Sequence, residues 1–125
     1  MTENVYGVLV DPSKGVSLQK FPSDEVGLNE MYSAIDCDYV ELSRLTNELD
    51  LWVDEEGFIN GASQRIGAFQ VQDADGEVLG QNFYAGRGLI LSADDDGRSI
   101  GLTKERAEKV AKSLIFQTSF FSPIL

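Results

Sequence analysis

The sequence between Cys37 and Asn60 contains the clearest pair of β-strands in the chain and constrains the fold most strongly. Asp38 to Leu45 and Leu49 to Asp54 are two predicted strands in which polar and apolar residues alternate, and we predict a tight turn between them at Asn47-Glu48. Side chains two positions apart share one face of a strand. The alternation predicts a core face with five members: Leu49, Leu51, Val53, Val40 and Leu42.

The opposite face of this predicted hairpin carries the single Trp of the chain. Trp52 lies there between Asp50 and Asp54. A Trp on the polar face of a strand is either covered by a helix or presented to a partner. The sequence leaves both alternatives open.

Two further segments have the apolar spacing of amphipathic helices. The first has its apolar stripe from Leu28 to Ile35; Ser23 is suited to cap it if its first turn carries Asp24 and Glu25, whereas Gly27 favours a later start near Leu28. The second is Thr103 to Phe116, with Thr103 as N-cap and an apolar stripe made of Ala107, Val110, Ala111, Leu114 and Ile115. A short helix is also predicted to begin near Ala62 and to include Ile66, Ala68 and Phe69.

The remaining apolar runs predict strands joined by turns rich in Asp and Gly. Asn4 to Val10 and Val16 to Phe21 form an opening hairpin with a loop of about five residues. Leu89 to Leu91 is a buried strand, and Asp94 to Gly97 turns the chain afterwards. We therefore predict an α+β fold, a mainly antiparallel β-sheet with two helices packed on it.

A chain of 125 residues has the usual size of one domain, so residues 1–125 are predicted to fold together. Its last segment, Phe116 to Leu125, is unusually apolar and must fold back on the core or cover a neighbouring subunit. We expect a homo-oligomer formed through this tail. The N-terminus lacks a basic signal-peptide region, no run reaches the roughly 18 apolar residues of a membrane span, and Cys37 is the only cysteine. We expect a cytoplasmic protein without a membrane partner.

The net charge of −11 is concentrated in the first half of the chain. Residues 1–60 contain 13 acidic and 3 basic residues, whereas the remainder is nearly balanced. Phosphate would repel such a surface, so direct binding of nucleic acid is disfavoured. Attraction to a basic protein surface is favoured at low salt.

The residue inventory excludes several chemistries. The chain has no histidine and no phosphate-binding glycine motif, and Cys37 lies between Asp36 and Asp38, which disfavours its thiolate. Three acidic turns invite a calcium site, but each lacks the acidic residue that an EF-hand loop needs at its last position. We predict ordinary hairpin turns and no cofactor or metal site, although a looser divalent-cation site stays open.

A small group of residues remains as candidates for a site that binds a ligand or a partner: Trp52, Asp54, Glu55, Glu56, Asn60, Arg65 and Arg87. The three carboxylates could take part in acid–base chemistry or form a solvated rim at the end of a strand. Arg65 and Arg87 stand near Gly-rich backbone, where they could bind a small anionic ligand or pair with local carboxylates.

The order and spacing of several segments resemble the DUF3846 family of bacterial, phage and mobile-element proteins. The matching segments are Met31-Tyr32, Ile35, Cys37 to Glu41, Leu51 to Gly57, Asn60-Gly61, Asp95 to Gly97 and Gly101 to Thr103. The resemblance covers about residues 5–103, and the C-terminal helix and tail, 103–125, follow it. This chain has Ala62 to Gly67 where the family usually has an Asn-Pro-containing stretch. The resemblance implies a phage or mobile-element setting and supplies no catalytic residues.

Three functions are compatible with these observations. The first is a non-catalytic accessory binding protein, such as a counter-defence factor that sequesters a nucleotide-derived signal of the host. The second is an acidic inhibitor or DNA mimic that acts on a basic host protein, because eight acids lie between Asp36 and Glu56 against the single base Arg44. The third is an enzyme that uses carboxylates and a divalent metal.

Overall fold

The computed structural model describes residues 5–119, and this part of the chain contains nine strands and three helices. In chain order they are β1 (Val5–Asp11), β2 (Gly15–Phe21), α1 (Leu28–Ile35), β3 (Val40–Arg44), β4 (Leu49–Asp54), α2 (Ala62–Arg65), β5 (Ala68–Gln72), β6 (Val78–Ala85), β7 (Gly88–Ala93), β8 (Ser99–Ile100), α3 (Lys104–Ser113) and β9 (Ile115–Ser119).

The strands form two antiparallel sheets. The central sheet has the order β2-β1-β7-β4-β3, and the short β8 pairs with the end of β7. The second sheet has the order β6-β5-β9. The fold is therefore α+β and mainly antiparallel, as predicted, with its strands divided between two sheets.

Both faces of the central sheet are covered. α1 lies on one face, where its buried Met31 and Ile35 pack with Phe21, Leu89 and Leu91. The second sheet and α3 lie on the other face and enclose the larger core. The central members of that core are Val8, Val10, Leu51, Val53, Phe69, Val71, Tyr84, Ile90, Leu102 and Ala107.

The ends of both predicted helices have local causes. α1 begins at Leu28 with Gly27 as N-cap, and Ser23 does not cap it because its hydroxyl donates to the carbonyl of Glu25. The Thr103 hydroxyl accepts a hydrogen bond from the Arg106 amide at 3.1 Å, which confirms the predicted cap of α3. α3 ends at Ser113, earlier than predicted, because the chain continues as β9.

The predicted register of the β3–β4 hairpin is wrong by one residue. Leu42 pairs with Trp52 and Ser43 with Leu51, so Val40 and Leu42 lie on the α1 side, and Leu42 is 45% exposed. The strands are joined by four residues, 45–48, where the Thr46 hydroxyl accepts from the amides of Glu48 and Leu49. A two-residue turn at Asn47-Glu48 would have shifted the pairing by one position, and such a shift exchanges the two faces of a strand.

The short helix predicted near Ala62 is confirmed only for its first turn. α2 ends at Arg65, and Gly67 has a φ of 111°, which interrupts the helix. Ala68 and Phe69 consequently belong to β5, where both are buried in the core between the sheets. The opening hairpin is confirmed, with a connection of three residues because Asp11 accepts hydrogen bonds from the amide and hydroxyl of Ser13.

The apolar tail falls partly within the described residues. Residues 115–119 form β9 on the edge of the second sheet, with Phe116 packed against the core. Residues 120–125, on which the predicted oligomer contact also depends, lie outside the described part. None of the helices within residues 5–119 has the length and apolar character to cross a membrane.

The observed register predicts unequal costs for two leucines of the same hairpin. Leu51→Ala removes a fully buried side chain and should lower the free energy of unfolding by about 2–5 kcal/mol. Leu42→Ala should lower it by less than about 1 kcal/mol, because that side chain is exposed. Urea denaturation measures both values, and equal losses would contradict the register.

Candidate functional site

The polar residues of interest gather at one end of the central sheet. Gly88, the first residue of β7, pairs with Val53 of β4 and with Val10 of β1. The next residue outward along each of these three strand ends is charged: Arg87, Asp54 and Asp11. The antiparallel register therefore brings together side chains that are far apart in sequence.

Asp54 organises the turn that follows β4. Its carboxylate is buried and accepts hydrogen bonds from the Glu56 amide at 2.9 Å and from Asn60 Nδ2 at 2.8 Å. The Asn60 side-chain oxygen in turn accepts from the Ala62 amide at 3.0 Å, where α2 begins. Three of the predicted site residues, Asp54, Glu56 and Asn60, are thus connected, and Asp54 and Asn60 shape the loop.

Trp52 lies on the face of the central sheet that α1 covers. Its ring is half-buried and packs against the cluster that contains Met31 and Ile35, beside Cys37 and Val40. Its Nε1 is buried and has no hydrogen-bond partner within residues 5–119. Trp52 therefore packs against the smaller core, on the face of the sheet that α1 covers.

Arg65 and Asn60 line a polar cavity of about 400 Å³ next to the end of α1. Its other lining residues are Tyr32, Asp36, Cys37 and Asp38. The structure thus brings together two of the predicted residues and adds two carboxylates to them. With two acids and one base, this Arg65 cavity favours a cation or a hydrogen-bonding group over an anion.

Cys37 is unsuited to act as a nucleophile. Burial, reinforced by the neighbouring carboxylates of Asp54, Asp38 and Asp36, raises the pKa of its thiol to about 11. Only a thiolate is strongly nucleophilic, so the thiol is inert near neutral pH.

Arg87 is held by Asp11 on the neighbouring strand end. The Nε atom of Arg87 donates to Asp11 Oδ2 at 2.9 Å, and only 24% of the arginine side chain is exposed. Burial opposes the charged form of Asp11, but hydrogen bonds from Ser13 and Arg87 outweigh it and lower the pKa of this carboxyl. Arg87 therefore has a fixed position at the end of the sheet.

The turn after β4 also exposes apolar side chains. Phe58 is 57% exposed and Ile59 is 81% exposed, and Tyr39, whose carbonyl accepts from the Glu55 amide, is 58% exposed. Exposed carboxylates flank them. We call this surface the acidic rim and define it by six residues: Asp36, Asp38, Tyr39, Glu55, Phe58 and Ile59.

Sequence reasoning missed several residues of this end of the sheet. Local sequence patterns place Asp11 in a turn and Asp38 and Tyr39 at the start of a strand, and they single out neither Phe58 nor Ile59 as part of a site. An Asp-Pro-Ser turn signal marked Asp11 as a turn residue, but its pairing with Arg87 depends on the strand order. Within residues 5–119, no three Cys, Asp or Glu side chains are grouped so that they could hold a metal ion.

Asp54 and Glu55 are predicted to differ in their effect on stability. Asp54→Ala leaves the Glu56 amide and the Asn60 side chain without their acceptor and should cost about 1–3 kcal/mol. Glu55→Ala removes an exposed side chain and should cost less than about 0.5 kcal/mol. Chemical denaturation compares them, and an equally harmless Asp54→Ala would refute the structural role of this carboxylate.

The raised pKa of Cys37 predicts slow alkylation. At about pH 8, iodoacetamide should modify the native thiol about a hundredfold more slowly than the same thiol in urea, where its pKa returns to about 9. The native rate should rise as the pH approaches 11. Equal native and unfolded rates at about pH 8 would show that the thiol is not shielded.

Comparisons with known proteins identify the chain only at the level of its family. No curated protein and no solved structure matches it. The profile of one family, described as "Domain of unknown function (DUF3846)", matches residues 4–115, which is nearly the whole chain. That match includes α3, beyond the 5–103 region of the sequence resemblance. The chain belongs to the DUF3846 family.

Proposed function

We propose that this protein is a non-catalytic binding protein that docks on a basic surface of another protein through its acidic rim. The observation that carries the proposal is the combination of three exposed apolar side chains with flanking carboxylates at one end of the central sheet. Neither feature alone defines a binding surface. Together they have the composition of an interface in which apolar anchors bind and charges orient.

The apolar side chains supply the binding energy in this proposal. Tyr39, Phe58 and Ile59 are each more than half exposed, although apolar side chains of this size gain free energy when they are buried. The Asp54–Asn60 hydrogen bond fixes the turn that carries Phe58 and Ile59. A fixed loop loses less conformational entropy on binding, so these side chains are suited as anchors.

The charge of the rim selects the partner. Asp36, Asp38 and Glu55 are exposed, and no salt bridge to any of the three is formed within residues 5–119. A second copy of this chain would bring the same carboxylates and would be repelled. A basic protein surface is complementary to the rim, and this complementarity would accelerate encounter at low salt.

In this proposal the partner is a basic host protein, in line with the phage or mobile-element setting that the resemblance implies, and this protein acts in the host cytoplasm as an inhibitor or DNA mimic. The nucleotide-sequestering counter-defence function is less well supported at the Arg65 cavity, where the base faces Asp36 and Asp38. The enzyme hypothesis is also less well supported, since the Asp54 carboxylate is engaged in hydrogen bonds of the loop. Both stay predictions.

The proposal is tested by affinity capture with the full chain. A host protein captured by the wild type is identified, purified and titrated by calorimetry against two rim variants. Phe58→Ser/Ile59→Ser removes two anchors and should weaken binding by at least about tenfold. Asp38→Lys/Glu55→Lys should weaken it further at low salt, and raising the salt from about 0.05 to 0.5 M should weaken wild-type binding strongly.

Matched controls separate the rim from the overall charge. Asp75→Lys/Glu77→Lys changes the net charge as much as the acidic-rim variant but lies in the exposed turn between β5 and β6. Val78→Ser/Phe83→Ser removes exposed apolar side chains of β6. Both controls should bind like the wild type. Capture of no basic protein, or equal losses in rim and control variants, would overturn the proposal.

A further inference from the structure

A second polar cavity lies between the β1–β2 hairpin and α1, where Ser33 and Ala34 of the helix line it. It has a volume of about 350 Å³. Its polar lining consists of Asp11, Lys14, Ser17, Gln19, Ser33 and Arg87, and Leu9, Gly15, Val16 and Ala34 complete the wall. We call it the Arg87 cavity. Its volume is within the range of small-molecule sites.

The guanidinium of Arg87 is fixed but only partly used. Its Nε donates to Asp11 Oδ2, while Asp11 Oδ1 accepts from the amide and hydroxyl of Ser13. Within the described part of the chain, neither terminal nitrogen of Arg87 makes a hydrogen bond. A guanidinium has five N–H donors, and the Nε–H is the one that Asp11 uses. The two terminal nitrogens therefore remain available to bind two oxygens of one anion.

The balance of charge in this cavity is positive. Asp11 neutralises one of the two bases, and Lys14 forms no salt bridge within residues 5–119. The opposite holds in the Arg65 cavity and in a cavity of about 540 Å³ beside Arg98, where Asp24, Glu25 and Asp94 outnumber the single base. A net positive cavity is unexpected on a chain whose net charge is −11.

We propose that the Arg87 cavity binds a small phosphate-type oxyanion, held by the terminal nitrogens of Arg87 and by the ammonium group of Lys14. The hydroxyls of Ser17 and Ser33 line the same cavity and can donate to the same anion. Acidic groups beyond about 8–10 Å are screened at physiological ionic strength, so the local charge decides.

The backbone around Arg87 supports a fixed site. A Cβ at Gly88 would meet the ring of Phe69 and the side chain of Leu51, so this glycine lets β7 start close against the second sheet. Asp11, on the paired strand β1, then receives the Arg87 side chain. An arginine positioned in this way loses little conformational entropy when it binds an anion. This inference does not rest on the acidic rim or on its partner.

The test is an NMR titration of the ¹⁵N-labelled full chain with sodium phosphate, compared with sodium chloride at equal ionic strength. Phosphate should produce saturable shifts at the amides of Lys14, Gly15 and Ser33 and at Arg87 Nε. Arg87→Lys keeps the charge but loses the planar fork, and it should weaken binding by about tenfold. Lys14→Gln should weaken it by about threefold.

Lys104→Gln on α3 is the matched control, because it removes one exposed positive charge outside the cavity. It should leave phosphate binding unchanged. Lys14 is exposed, so Lys14→Gln keeps the test decisive even if Arg87→Lys unfolds the chain. A second titration with a nucleoside monophosphate separates the two sources of the anion: tighter binding indicates an ester ligand, equal binding indicates phosphate itself, and either upholds the site.

Two results would overturn the proposal. The first is the absence of saturable shifts up to about 50 mM phosphate, which corresponds to binding too weak for a dedicated site. The second is an equal loss of affinity in Lys14→Gln and Lys104→Gln, which would show that only the net charge of the chain matters.

Discussion

The burial of β7 on both faces is the constraint on which the rest of the structure depends. Leu89 and Leu91 pack under α1, while Ile90 between them packs toward the second sheet, and all three are fully buried. Such a strand must lie in the middle of a sheet, with a cover on each side. β1 and β4 flank it, α1 covers one face, and the second sheet with α3 covers the other. The two cores are therefore separated by a single layer of strands.

This arrangement leaves the strand ends as the places where polar groups can gather. At one end, the same register that buries the cores brings Asp11, Asp54 and Arg87 together. Asp54 bonds to its own turn, whereas Asp11 and Arg87 bond to each other. The Asp54 turn carries the acidic rim, and the Asp11–Arg87 pair borders a cavity with a net positive charge. The acidic rim and the Arg87 cavity thus differ in charge, and each is suited to a different class of ligand.

Features that depend on residues close together in sequence were predicted well, and features that depend on distant residues were not. The cap of α3 and the Asp-Gly turns depend on contacts between residues a few positions apart, and they were predicted correctly. The β3–β4 register was predicted wrongly. The Thr46 hydroxyl stabilises a connection of four residues, where the sequence suggested a turn of two. Arg87 was recognised as a candidate, but its partner Asp11 lies 76 positions away, and no local pattern links the two.

The sequence by itself determined the α+β class, the two main helices and the concentration of acidic residues in the first half of the chain. Each of these follows from short-range spacing or from composition. The tertiary structure alone decided that Trp52 serves the core under α1, that Phe58 and Ile59 stand exposed beside carboxylates, and that Arg87 shares a cavity with Lys14. The physical reason is strand order and register: whether a side chain is buried, paired or accessible depends on neighbours that sequence spacing does not specify.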